Sequence, residues 1–107
     1  MYITFSKPHN FDGKDVAGIE LDLDGLRGSD ITDAYRQYTA AGNFSAVVST
    51  DPNFCMLLAA AAGKQPLEFF TELGAADFMY VHQTVQNFLL NSGLVSQTSQ
   101  AKSGKSA

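Results

Sequence analysis

Over the first two dozen residues apolar and polar positions alternate, and from Asp30 onward the apolar positions recur at helical spacing. Tyr2 to Lys7 (YITFSK) alternates and is rich in β-formers, which predicts a strand that Pro8 stops. Asp12-Gly13 marks a turn inside a longer loop. Val16 to Leu23 (VAGIELDL) alternates again. Ala17, Ile19, Leu21 and Leu23 share one face, and Glu20, Asp22 and Asp24 share the other. The two runs predict an N-terminal β-hairpin with one apolar face. Because an isolated hairpin is marginal in water, that face is expected to lie on helices or on another chain.

Gly25 and Gly28 interrupt the pattern, and a helix is predicted over Asp30 to Ala41, capped by Ser29 or Asp30. Ile31, Ala34, Tyr35 and Tyr38 form its stripe, and Gly42-Asn43 ends it. Phe44 to Ser49 (FSAVVS) reads equally as a short strand or an extended link. Asp51-Pro52 opens the next helix, with Asp as cap and Pro in the first turn. Phe54, Leu57, Leu58 and Ala61 make its stripe, and Gly63 ends it. Ala59 to Ala62 leave so little side chain that another backbone can approach. Pro66 opens a short helix from Leu67 to Leu73, closed by Gly74. A last helix, from Ala76 to Asn91, carries Phe78, Val81, His82, Val85, Phe88 and Leu89 on one stripe. Gly93 is its expected C-cap, with Leu94 folding back on Leu90.

Beyond Val95 the chain reads SQTSQAKSGKSA, without an aromatic or large aliphatic residue, so a flexible tail is expected. The fold class is therefore α+β: an N-terminal β-hairpin, then a small bundle of three to four helices. A single domain spans residues 1–93, and the tail spans 94–107.

Composition narrows the function classes. At 107 residues, with 45% hydrophobic and 17% charged residues, the chain is globular in type and suits one domain. Net charge is -4, and the seven basic residues are scattered among eleven acids, so nucleic acid is not an expected partner. The tail holds Lys102 and Lys105 and no acid, which makes the body still more acidic. Cys55 is alone, which excludes an internal disulfide and fits a reducing compartment. Met1 to Phe5 is too short for a signal peptide, and the longest apolar run, Phe54 to Ala62, is far short of the roughly 20 residues of a membrane span. A soluble, intracellular protein is expected, with no membrane partner.

Candidate chemistry is sparse. Cys55 with His9 or His82 would make a nucleophile pair only with an orienting third residue, and none is in view. The ordinary reading is a buried thiol, a loop His9, and a partly buried, hydrogen-bonded His82. Glu20, Asp22 and Asp24 lack the spacing of a calcium loop and read as a solvated strand face. Asp12-Gly13-Lys14 lacks the glycine and the hydroxyl residue of a phosphate loop, and no GxGxxG, CxxC, HExxH or GxSxG occurs. No enzyme activity, metal or cofactor is expected.

The apolar supply is unusual, with eight Phe and four Tyr in so small a body. Phe69-Phe70, Phe78-Met79-Tyr80 and Phe88-Leu89-Leu90 are consecutive, so on helices they point in different directions. Either the core is wrapped from several sides, or part of this surface binds protein.

Two stretches carry a family resemblance. One is the opening: a β-run into Ser6-Lys7-Pro8, then Asp12-Gly13-Lys14, then a second β-run. The other is the C-terminal half: LLAAAAG ending at Gly63, Pro66 and Leu73 around a short helix, then Asp77, Val81, Val85 and Phe88-Leu89. In order and spacing over residues 2–91 the chain resembles the small tail assembly chaperones of Mu-like and P2-like contractile-tailed phages. The match is weakest from Asp30 to Thr50. The resemblance implies a non-enzymatic protein of the host cytoplasm that binds the tape measure protein. It would keep that protein's helical segments soluble while the tail tube assembles, and be absent from the virion. It also implies the tail tube protein as a second candidate partner and a longer frameshifted form, for which Gly104-Lys105 is a natural junction.

Helix-in-groove capture is the expected mode. Phe54, Leu58, Phe69, Phe70, Met79 and Leu90 are the expected anchors for the partner or for a homo-oligomer. The rivals are a small structural tail completion or adaptor subunit of the virion, a cytosolic protein-binding adaptor, and a small enzyme using Cys55 or His82.

Overall fold

The computed structural model describes residues 1–91. It is an α+β fold, an N-terminal two-stranded antiparallel hairpin followed by four helices. The strands are β1 (Tyr2–Phe11) and β2 (Lys14–Glu20). The helices are α1 (Gly28–Ala40), α2 (Pro52–Gly63), α3 (Leu67–Thr71) and α4 (Ala75–Asn91), with one 3-10 turn at Val48–Thr50 before α2. The expected Gly93 cap, the Leu94 contact and the flexible tail lie outside the described residues.

The hairpin is tighter than its sequence suggests. Phe11 pairs with Lys14, so Asp12-Gly13 is the whole connection and no longer loop surrounds it. Both turn residues have positive φ, 55° and 77°, the geometry that matches the twist of paired strands. Pro8 does not end β1. Four residues, Phe5 to Pro8, stand opposite the single Ala17, forming a large bulge, and pairing resumes at His9 and Val16. A proline lacks the N–H that a ladder needs, and a bulge removes that need.

The bulge also resets which side of β2 faces inward. Ile19 is buried, but beyond the bulge Val16 turns toward the core and Ala17 is exposed. The expected single face of Ala17, Ile19, Leu21 and Leu23 therefore holds only from Ile19 onward. An odd excess of residues, here three, exchanges which face of the paired strands points inward beyond the bulge.

Helix α2 is the centre of the body. Phe54, Cys55, Met56, Leu58, Ala59 and Ala62 are all buried, which exceeds one stripe because α1, α3, α4 and the hairpin pack around it. Its C-terminal end is small for a reason. A Cβ on Gly63 would lie 2.9 Å from Ile19 Cδ1 and 3.0 Å from Leu21 Cδ2. The Asp22 amide donates to the Ala62 carbonyl at 3.1 Å. The backbone that approaches the end of the alanine run, at Ala62 and Gly63, is thus the chain's own β2 exit. Gly63 stays helical, and Lys64 takes the left-handed turn, φ 56°.

The helix starts follow local chemistry. Asp51 caps α2, its Oδ1 accepting from the Asn53 amide at 2.9 Å. Its Oδ2 accepts from the Tyr38 hydroxyl at 2.5 Å, and Tyr38 meets Phe54 edge-on at 5.9 Å, which ties α1 to the start of α2. At α1, Asp30 acts from inside the first turn, accepting from the Arg27 amide at 2.8 Å, so neither Ser29 nor Asp30 is the cap. Asp51→Ala removes the cap and the carboxylate that accepts from the Tyr38 hydroxyl. A loss of about 2 kcal/mol is expected in urea unfolding, with an unchanged m-value.

Helix α4 is held at its first turn by the hairpin. Ser6 in the bulge donates to Asp77 twice, from its amide at 2.9 Å and from its hydroxyl at 3.1 Å. One face of α4, Val81, His82, Val85 and Leu89, lies on the core, with Phe78 and Phe88 half-buried at its margins. The clamp and the stripe together decide which face of α4 remains outward.

Candidate partner-binding surface

The six expected anchors do not form one surface. Phe54, Leu58, Phe69 and Phe70 are 3%, 0%, 1% and 0% exposed, and all four belong to the core of a single chain. The two adjacent phenylalanines are both covered because α3 is packed on two sides. Phe69 enters an aromatic cluster on the hairpin, 5.2 Å from Phe11, 6.1 Å from Phe5 and 5.0 Å from His9. Phe70, about 100° further round, is buried in the rest of the core. Those four side chains are corrected from anchors to core.

His9 is likewise no loop residue. It sits in β1, 8% exposed, with Nε2 2.9 Å from the Phe69 carbonyl oxygen.

Met79 and Leu90 do lie on the surface of α4, 48% and 38% exposed. Tyr80 accompanies them at 54%. From Phe78 to Asn91 the helix carries no Asp, Glu, Lys or Arg, so its outward half is Met, Tyr, Leu, Gln, Thr and Asn. Solvated helix faces are normally charged, whereas the centres of protein interfaces are depleted in charge and enriched in aromatic residues and Met.

A groove of about 430 Å³ runs beside this face. Its apolar surface comes from Met1, Tyr80 and Phe88, over the buried Leu21 and Leu23. Tyr80, Gln83, Thr84, Asn87 and Asn91 form the α4 wall, and Asp22 and Asp24 stand on the opposite wall, in the segment leaving β2. Both walls are fixed: one by the Ser6–Asp77 clamp, the other by the bond from the Asp22 amide to Ala62. Tyr80, Gln83, Thr84, Asn87 and Phe88, which line the groove, are not among the anchors expected from the sequence. The available signal was the complete lack of charge between Asp77 and Lys102, not apolarity.

Elsewhere the chemistry is muted. Cys55 is fully buried, its Sγ donating to the Ser49 carbonyl at 3.4 Å. Burial, then the nearby Asp51 carboxylate, push its thiol up to about 12, and a thiol held protonated is a poor nucleophile. Burial, the Asp51 hydrogen bond and its charge push Tyr38 up to about 12 as well. Among the described residues no three of His, Cys, Asp or Glu converge as metal ligands, and no helix is long and apolar enough to cross a membrane.

His82 differs from its expected state. It is 7% exposed, and neither ring nitrogen has a hydrogen-bond partner among the described residues. An unsatisfied buried polar group costs stability. His82→Leu is expected to raise stability by about 1 kcal/mol in thermal or urea unfolding. A fall would reveal a hydrogen-bond partner for the imidazole.

Comparison with protein-family models, with curated proteins and with solved structures finds no match.

Proposed function

We propose that this chain is a phage tail assembly chaperone that performs no reaction and holds amphipathic segments of the tape measure protein on the outward face of α4. One observation carries the reading: a rigidly mounted helix presents Met79, Tyr80 and Leu90 on a face without a single charge, beside an apolar groove. A long helical client with exposed apolar stripes is the kind of partner such a face suits, docking helix against helix. The order of motifs shared with small tail assembly chaperones supports the same reading. The acidic body suits a chaperone, since like charge keeps loaded copies apart.

The test is co-expression with a fragment of the tape measure protein encoded beside this chain. The soluble fraction of the fragment is expected to rise severalfold, and mass spectrometry of purified particles is expected to find no copy of this chain. An unchanged soluble fraction overturns the reading. A stoichiometric copy number in the particle favours a structural tail subunit instead.

A further inference from the structure

Resting on that reading, we infer that the groove selects a particular kind of segment: an amphipathic helix with Lys or Arg on one flank of its apolar stripe only. The two walls of the groove differ in charge. The α4 wall is amide and hydroxyl, from Gln83, Thr84 and Asn87, and offers hydrogen bonds without a field. The opposite wall carries Asp22 and Asp24, both exposed, together with Met1, whose ammonium is paired with Glu20 at 2.6 Å and leaves the two aspartates as the uncompensated charge. Asp22 is also positioned, since its Oδ1 accepts from the Gly25 amide at 3.2 Å.

A helix lying along the groove places its stripe on the exposed Met1 and Tyr80 and on the half-buried Phe88, above the buried Leu21 and Leu23. One flank then faces the two carboxylates, and the other faces uncharged α4. Acidic residues on the first flank would meet like charge at short range, which is a strong discriminator. Basic residues there complete the ion pairs. Charge on the second flank gains nothing, so the groove reads both the sign of the flank and the direction in which the helix lies.

The probe is a pair of synthetic helical peptides of about four turns with identical leucine stripes, one with Lys and one with Glu on the same flank. Binding to the full chain is measured by titration calorimetry at low and high salt. The Lys peptide is expected to bind about tenfold tighter at low salt, and the gap is expected to shrink as salt screens it. Because the whole chain is acidic, the local origin is tested with Asp22→Asn plus Asp24→Asn, which is expected to abolish most of the preference. Asp12→Asn plus Asp15→Asn at the far hairpin turn is expected to leave it. Equal binding of the two peptides overturns the flank selectivity while leaving the proposed chaperone face standing. So does a preference that survives at Asp22 and Asp24 but falls at Asp12 and Asp15. Failure of both peptides to bind overturns the docking reading itself. So does a groove occupied by a second copy, seen as a dimer in sedimentation that Tyr80→Asp dissociates and neither peptide displaces.

Discussion

Phe70→Ala is expected to destabilise the body by about 3–5 kcal/mol, and its effect on any partner is expected to be entirely indirect. The ring is 0% exposed, next to Phe69 at 5.1 Å, in the one core that α2, α3 and the hairpin share. Truncation removes the transfer free energy of the ring and leaves a cavity that a packed centre cannot collapse. A domain of this size has roughly 5–15 kcal/mol in total, so a large share of it disappears. Urea unfolding gives the direct measure, through a large fall in the midpoint at unchanged slope. Residual binding, measured on the fraction still folded, is expected to equal that of the parent chain. A Phe70→Ala chain with parental stability and weakened binding would put the ring at an interface and contradict the packing described above.

The second large effect runs the opposite way. Met79→Asp combined with Tyr80→Asp is expected to weaken client binding by about 2 kcal/mol or more, roughly thirtyfold, while folding stability changes little. Both side chains are about half exposed, so their replacement opens no cavity. What changes is the electrostatic character of the face. Two carboxylates desolvated against an apolar stripe have no partner on the outward face of α4, which carries no Lys or Arg. Both extra charges lie just past the first turn of α4, and the one at position 80 is three residues from Asp77, so repulsion costs the helix only about 0.5 kcal/mol or less. Titration calorimetry with a tape measure fragment and a parallel thermal melt separate the two quantities. Parental affinity in the double variant would remove α4 from the interface.

These two variants mark where the sequence is informative and where it is not. Local chemistry was legible: Asp51-Pro52 starts a helix because a carboxylate can take the Asn53 amide, and Asp12-Gly13 turns because both residues accept positive φ. The order of hairpin and helices followed from periodicity with the Gly and Pro breaks, whereas the 3-10 turn at Val48–Thr50 did not. The hairpin interior did not, because Pro8 looks like a stop until a bulge excuses its missing N–H. The same bulge sent Ala17 outward and Val16 inward. Gly63 does end its helix, but it also admits Ile19 and Leu21, and the left-handed cap residue is Lys64.

The anchors failed for a related reason. A helical stripe states which residues share a side, but not how many sides a neighbour will cover. α2 and α3 are covered on several, so Phe54, Leu58, Phe69 and Phe70 went inside. Among the described residues α4 is covered mainly on one, because the hairpin clamps it at Asp77 and the core takes Val81, Val85 and Leu89. Its open half is distinguished by missing charge, and a reading that ranks residues by apolarity passes over Gln83, Thr84 and Asn87. His82 shows the same limit. A lone histidine on an apolar stripe was expected to find a hydrogen bond, and its partners depend on tertiary neighbours that periodicity does not name.

The central claim is that the uncharged side of α4 is where the client rests. Amide chemical-shift mapping of the full chain, titrated with a tape measure fragment, tests it most directly. The account requires perturbations concentrated on residues 79–91 and on Leu21 to Asp24, with the hairpin turn at Asp12-Gly13 silent. A footprint on the link around Phe44 and Val47, which are 88% and 50% exposed, with α4 unmoved in a formed complex, would contradict it.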